Sequence, residues 1–308
     1  MLKNQITFII FFLMVFAFRG LSQETTLFKV SDFDLNGNVK SCHISTDYGK
    51  EEYSFNTEGY LTESVTRFSD SDYDITLYTY QKGELLEKRV EQYRNKALDR
   101  ATSIANFYTI DTTGNRKVTE KIVSYNKEFL EQNEYFYTTE DKLSKIIRTN
   151  NDGIDETSVI YYQEGNASIA DYFLNRELQQ SIQTAVVIQS DTVSTNVITT
   201  KKFFDGEPNT AIEKVFNNDG KVSSETQFSY DADLKKFIPS ETVQNTYLPS
   251  GGIEKKVTKK GTDAVTKEYL YQFDPSGNWV KQIVTPDNTY KTRKIKYYKA
   301  QESVRVEE

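Results

Sequence analysis

One short pattern constrains this chain more than any other feature. An aromatic pair spaced by one residue is followed by Asn or Asp, two variable residues, Gly, and a strand-like stretch with an apolar residue near its start. The fullest copy is Tyr271-Gln272-Phe273-Asp274-Pro275-Ser276-Gly277-Asn278-Trp279. Asp, Pro and Gly stand there at the first, second and fourth positions that a type I turn prefers. The Asp carboxylate can accept a hydrogen bond from the backbone two residues on, and Pro presets φ. Gly277 then takes the left-handed conformation that realigns two strands across a bulge. Asn56-Thr57-Glu58-Gly59, Asp111-Thr112-Thr113-Gly114 and Asn217-Asn218-Asp219-Gly220 fit the same template without the Pro. Hairpin geometry therefore accounts for each Asp, Asn and Gly of the pattern without any catalytic role.

Looser copies fill the intervals, beginning at Asp32, Tyr78, Tyr135, Val159 and Asn245. Within the arms polar and apolar residues alternate: Tyr269, Tyr271 and Phe273 fall on one side, Leu270 and Gln272 on the other. A period of two with Tyr, Phe, Val, Ile and Thr enrichment is the signature of half-buried antiparallel strands. Short helices are admissible only at 96–107 and 176–183, and both read equally well as strand or loop. Residues 184–204 lack the aromatic-Gly signature; they read as a hairpin turning at Ser190-Asp191 and offer a seam between two repeat blocks. The fold class expected is all-β: an elongated antiparallel meander of successive β-hairpins in a curled or spiral sheet, with a β-sandwich or propeller-like arrangement as the alternative.

The N-terminus reads as a secretory signal. Lys3 supplies the basic region, Ile6 to Phe18 is apolar except for Thr7, and Gly20-Leu21-Ser22 is a small-residue cleavage site. The apolar run falls short of the roughly 20 residues a membrane helix needs, and no second such run follows. The expected organisation is a signal peptide over 1–22 and one β-hairpin repeat domain over 23–308. Cleavage removes Lys3 and Arg19 and leaves the chain more acidic than its formal −7. An acidic exported chain has no electrostatic reason to hold nucleic acid or an anionic membrane. The expected location is therefore exported, in the periplasm, on the outer surface or secreted, with no membrane span after signal cleavage.

The chemistry the chain can support is limited. There is one Cys, Cys42, so no intramolecular disulfide forms. The only His, His43, is its neighbour, and adjacent strand residues point to opposite faces; the two cannot pair as nucleophile and base. Zinc sites need several Cys or His ligands, and no phosphate loop or dinucleotide fingerprint occurs. Residues 148–156 fail as a calcium loop because Arg148 stands where the first carboxylate belongs. Residues 69–74 read as a solvated acidic loop. No catalytic, cofactor-binding or metal residue is assigned, and no cofactor. The 45 Asp and Glu make some suitably spaced carboxylate pair inevitable, so spacing alone does not identify a glycosidase. Adjacent aromatic pairs must expose at least one ring when only one sheet face is buried. Tyr161, Tyr162, Tyr297 and Tyr298 are accordingly the candidate ligand-stacking surface, for a protein or glycan partner at the cell surface.

The repeat resembles the YD repeat of Rhs-type bacterial exported proteins: an aromatic, a Tyr-Asp pair, two variable residues, Gly, often Arg, then an apolar residue. Tyr271, Phe273-Asp274, Gly277 and Trp279 carry the match, and Tyr230-Asp231 supplies the Tyr-Asp pair without a following Gly in register. Phe often replaces Tyr here, Asn often replaces Asp, and the Arg after Gly is absent. The resemblance implies a long sheet of successive hairpins curling into a spiral. This chain is too short for a toxin-enclosing shell. The function expected is an exported, non-enzymatic structural or interaction scaffold, the alternative being a glycan-binding module or weak glycoside hydrolase. A lipid-embedded barrel is disfavoured by residues 84–94, which place Glu84, Lys88 and Arg94 on one face and Glu87, Arg89 and Glu91 on the other.

Overall fold

The computed structural model describes residues 27–190 and 193–299; the signal read at 1–22 and the turn at Asp191 lie outside them. A 3₁₀ turn (Val30–Phe33) precedes twenty antiparallel strands. These are β1 (Val39–Thr46), β2 (Gly49–Phe55), β3 (Leu61–Arg67), β4 (Tyr73–Gln81), β5 (Glu84–Arg94), β6 (Ala97–Asp111), β7 (Lys117–Ser124), β8 (Phe129–Tyr137), β9 (Leu143–Asn150) and β10 (Gly153–Glu164). The second half comprises β11 (Ala167–Leu174), β12 (Glu177–Ser190), β13 (Val193–Phe204), β14 (Glu207–Phe216), β15 (Val222–Asp231), β16 (Lys236–Tyr247), β17 (Ile253–Lys260), β18 (Asp263–Phe273), β19 (Trp279–Thr285) and β20 (Thr289–Tyr297). Both segments that were open to a helical reading are strand, in β6 and β12. Residues 184–204 form the β12–β13 hairpin, paired without a break in the ladder from Gln180↔Lys202 to Ile188↔Ser194.

Each strand pairs with its sequence neighbours, as expected of a hairpin meander. The expected spiral, sandwich or propeller is corrected, because the first and last strands meet. β1 pairs antiparallel with β20 from Val39↔Tyr297 to Ser45↔Thr292, so the sheet closes into a barrel. A spiral would leave two rows of unpaired N–H and C=O groups, and closure removes both edges.

The register assigns side chains to the two faces of the wall. One row runs Ile110–Val118–Tyr135–Ile146–Thr157–Leu174 across six strands. Val118, Tyr135, Ile146 and Thr157 in that row are buried, and burial of this kind marks the inward face, where side chains converge. The outward face carries Glu63–Leu77–Arg89–Ala105–Val123 and the ion pairs Arg67–Glu52 and Arg89–Glu87. Charges are thus spread over both faces: Lys88 and Glu120 point in, Arg89 and Glu87 point out. Among the described residues no helix is long and apolar enough to cross a membrane.

Turn chemistry alternates around the ring. In an up-and-down barrel the turns from even- to odd-numbered strands gather at one rim, and the four turns that fit the Asx-x-x-Gly template in the sequence are there. Asn56 Oδ1 accepts from the amides of Glu58 (3.0 Å) and Tyr60 (2.9 Å). Asp274 Oδ1 does the same for Ser276 (3.0 Å) and Asn278 (2.9 Å), and Asn217 for Asp219 and Lys221. Gly59, Gly220 and Gly277 have φ of 83°, 74° and 81°. The Asp111 turn departs from the template. Asp111 is itself the last paired residue of β6, opposite Lys117, whereas Asn56 follows the last pair, Phe55↔Leu61. The one-residue offset takes Gly114 out of the bulge position, and it has no positive φ. At the other rim Asn95-Lys96 and Asn175-Arg176 have both central residues at positive φ, as type I′ hairpins require.

Candidate functional site

The aromatic half of the repeat has a mechanical role at the Asx-Gly rim. Tyr80 Oη donates to the carbonyl of Leu61 (2.7 Å), Tyr161 to Leu143 (2.9 Å), Tyr247 to Val222 (2.7 Å) and Tyr271 to Ile253 (2.8 Å). In every case the acceptor is the first residue of the odd-numbered strand before the tyrosine's own. Hydroxyls of Thr62, Ser144 and Ser223 cap the carbonyls of Ser54, Phe136 and Val215 across the same bulges. At the Asn56 and Asn217 turns this makes a complete lock: the Asx side chain closes the turn, and the next strand's tyrosine, Tyr80 or Tyr247, takes the carbonyl the bulge leaves free.

The four tyrosines expected to form a stacking surface occupy two places. Tyr161 and Tyr162 lie on β10; Tyr297 ends β20 and Tyr298 follows it, ten strands away around a ring of twenty. Tyr161 and Tyr162 expose 40% and 44% of their surface. Their hydroxyls bond Leu143 O and Asp171 Oδ2. Tyr297 bonds the Asp274 carboxylate and receives a bond from Asn278 Nδ2. Tyr298 donates to Phe55 O (2.6 Å). Cys42 faces inward and is fully buried, and burial pushes its thiol up to about 11. His43 faces outward, with Nδ1 3.5 Å from Glu52 Oε2. Asp72, in the acidic loop, accepts bonds from Ser69, Ser71 and the Asn95 amide.

Two polar constellations on the inward face escaped the sequence reading. The first centres on Glu120, only 2% exposed. Its carboxylate accepts from Asn106 Nδ2 (2.7 Å), Tyr108 Oη (2.8 Å), Tyr135 Oη (2.9 Å) and Asn133 Nδ2 (3.3 Å). Burial, reinforced by the Glu120 charge, pushes the Tyr108 and Tyr135 phenols far above their ordinary value. Burial pulls the Lys88 amine below the usual lysine range, and Glu120 opposes that shift. The donors come from β6 and β8, on either side of Glu120 in β7, at sequence distances of 12 to 15, which no local pattern would reveal.

The second lies at the closure seam. The segment before β1 folds back over the inward face: Val30 N donates to Gly59 O and Leu61 N to Phe28 O. Phe28, Val30 and Phe33 pack against Leu35, Cys42, Phe55 and Leu61. Arg293 on β20 grips the segment, with Nη1 donating to Asp34 O (3.1 Å) and Nη2 to Phe33 O (2.9 Å). Its guanidinium stacks on Trp279, 3.7 Å from the ring centroid. Asn278, 1% exposed, bonds both backbone groups of Asn36 (2.7 and 2.8 Å). Beside this junction a cleft of about 190 Å³ opens, lined by Asp34, Ile44, Glu51, Ile253, Tyr271, Trp279, Gln282, Lys291 and Arg293. Trp279 opens β19 directly after the Asp274 turn, where it meets Tyr271 of its own hairpin (6.2 Å between centroids) and Arg293 of β20.

No protein-family model matches the chain, and no curated protein does. Among solved structures, a porin-like protein from Bacteroides uniformis is 10% identical, with 84% of this chain and 96% of that chain covered, at a TM-score of 0.28. The TcdB2–TccC3 structure is 12% identical, covering 80% of this chain and 16% of that one, at a TM-score of 0.21. Neither likeness is close enough to bear on function.

Proposed function

We propose that this chain is an exported, non-enzymatic β-repeat protein that serves as a structural or interaction scaffold at the cell envelope or outside the cell. The observation that carries the reading is where the repeat's polar groups go. Its Asx side chains, glycines and tyrosine hydroxyls are consumed in closing turns and locking bulges, which leaves them no reacting atom to serve. The same lock supports kinship with YD-repeat proteins, here in a closed ring. Charges on both faces support a barrel bathed in water on each side. Insertion into lipid would place Arg89 and its neighbours in hydrocarbon at roughly 2–4 kcal/mol for an arginine or lysine at the midplane.

A second reading, a glycan-binding module or weak glycoside hydrolase, draws on the exposed rings of Tyr161 and Tyr162. The chain from Gln23 onward, purified without detergent, decides between them on a polysaccharide panel and a glycan array. The scaffold reading expects no turnover and no saturable glycan binding. Hydrolysis would overturn it, and binding abolished by Tyr161→Ala would establish the second reading.

A further inference from the structure

Four charged side chains line the seam cleft: Arg293 and Lys291 from β20, Glu51 from β2 and Asp34 from the N-terminal segment. None of the four stands in an ion pair among the described residues. The register holds Glu51 apart from Arg293, whereas Asp34 lies beside Arg293, which donates to its carbonyl. Ile44 is paired with Glu51 on one side and with Arg293 on the other, so an apolar floor separates an anionic edge from a cationic one. Lys291, two residues from Arg293, shares its face.

Arg293 is the most demanding of the four. It is 8% exposed, its Nη atoms are given to carbonyls, and its Nε is buried without an acceptor. Carbonyls satisfy donors but do not neutralise charge, and a buried guanidinium without a counter-charge is costly. Glu51, across the floor, accepts one bond from Tyr53 Oη (2.8 Å) and keeps its other oxygen. The volume is below the roughly 300–1,000 Å³ of drug-sized pockets, which restricts the occupant to a small molecule. A lone carboxylate would satisfy one edge and be repelled by the other; so would a lone amine. A zwitterion satisfies both.

We propose that this cleft binds a free apolar α-amino acid, with its carboxylate toward Arg293 and Lys291, its ammonium toward Glu51, and its side chain over Ile44 and Ile253. This goes beyond the scaffold reading and does not depend on it. Trp279, the chain's only tryptophan, lines the cleft and reports occupancy by its fluorescence. L-Leucine titrated into the full mature chain should give a saturable fluorescence change. 4-Methylpentanoate and L-leucine methyl ester, each lacking one charge, should bind roughly tenfold more weakly or worse. Glu51→Gln keeps an acceptor for Tyr53 and should weaken leucine about tenfold without moving the thermal midpoint. Lys291→Gln, at an exposed position, should weaken it a few-fold and decides the matter should the Glu51 variant fold poorly. No saturable change at millimolar leucine, equal binding of the acid or the ester, or leucine affinity unaltered in the folded variants would each overturn the proposal.

Discussion

Two arcs of the same barrel share one ladder and differ in what the ladder supports. From β5 to β11 the inward row carries Val118, Glu120, Tyr135, Ile146, Val159 and Tyr172, all buried. From β12 to β18 the equivalent row reads Ile182–Thr200–Ile212–Gln227–Glu241. Between Glu177 and Phe273 only Thr195 and Ala211 are buried among the described side chains. Pairing is continuous through both. The difference shows that closure and filling are separate properties: turns and backbone pairing close a ring wherever the hairpins are sound, while burial follows the rings and branched side chains aimed inward. Stability should therefore be unevenly distributed, as it is in arrays held by nearest-neighbour interfaces.

Alkali should break the comparison most strongly. Burial raises the phenols of Tyr53, Tyr78, Tyr108 and Tyr135, that of Tyr78 to about 12. A raised folded pKa gives stability that is fully present below the unfolded value near 10 and is lost as pH climbs toward the folded one. Each such tyrosine should cost about 1.4 kcal/mol per pH unit above roughly 10 while it stays protonated in the fold. The barrel is expected to unfold in this range, and Tyr135→Phe should lower the slope of stability against pH. A slope unchanged in that variant, read from urea midpoints, would show that Tyr135 does not contribute.

Glu120→Ala should cost about 3–5 kcal/mol, because it strands two phenols and two amides in a buried site. Its counterpart in the sparse arc is Glu241, the carboxylate on the same inward row, which is only half-buried; Glu241→Ala should cost under about 1 kcal/mol. Equal losses in denaturant titrations would mean the two arcs are equally packed. Nothing in the sequence distinguished Glu120 from the other carboxylates, since its partners assemble only after three strands have paired. The turns, by contrast, were legible because their cause is local: Asn56, Asn217 and Asp274 bond amides within four residues. Closure was not legible, because β1 and β20 are chosen for one another by the accumulated curvature of eighteen hairpin arms between them. By its sequence alone the segment from Asp32 is one more loose repeat. Its 3₁₀ turn and its grip on Arg293 need the far end of the chain to exist.

That dependence makes the seam the third test. Asn278→Ala removes both bonds to Asn36 and the one to Tyr297, for about 2 kcal/mol. The loss should appear as faster hydrogen exchange in β1, β2, β19 and β20, with β6 to β9 remaining protected. Uniform acceleration around the ring would show that the seam and the filled arc open together.

The smallest effect sharpens the turn rule by setting one glycine against another. Gly277 has φ of 81°, and a Cβ built there meets no atom within 4 Å. Gly277→Ala should therefore cost only the backbone penalty, roughly 1–2 kcal/mol. Gly114 looks identical in the sequence, fourth in an Asp-x-x-Gly run, and a Cβ there also meets nothing within 4 Å. Because Asp111 is held in the ladder one residue early, Gly114 sits at an ordinary φ, and Gly114→Ala should be neutral or slightly stabilising by way of a less flexible unfolded chain. Asp274→Ala should exceed the roughly 1 kcal/mol of a lost turn bond, since Asp274 also accepts from Tyr297. Thermal melts of the two glycine variants are the direct comparison. Equal destabilisation would mean that the motif, and not the register in which it is held, dictates the left-handed residue.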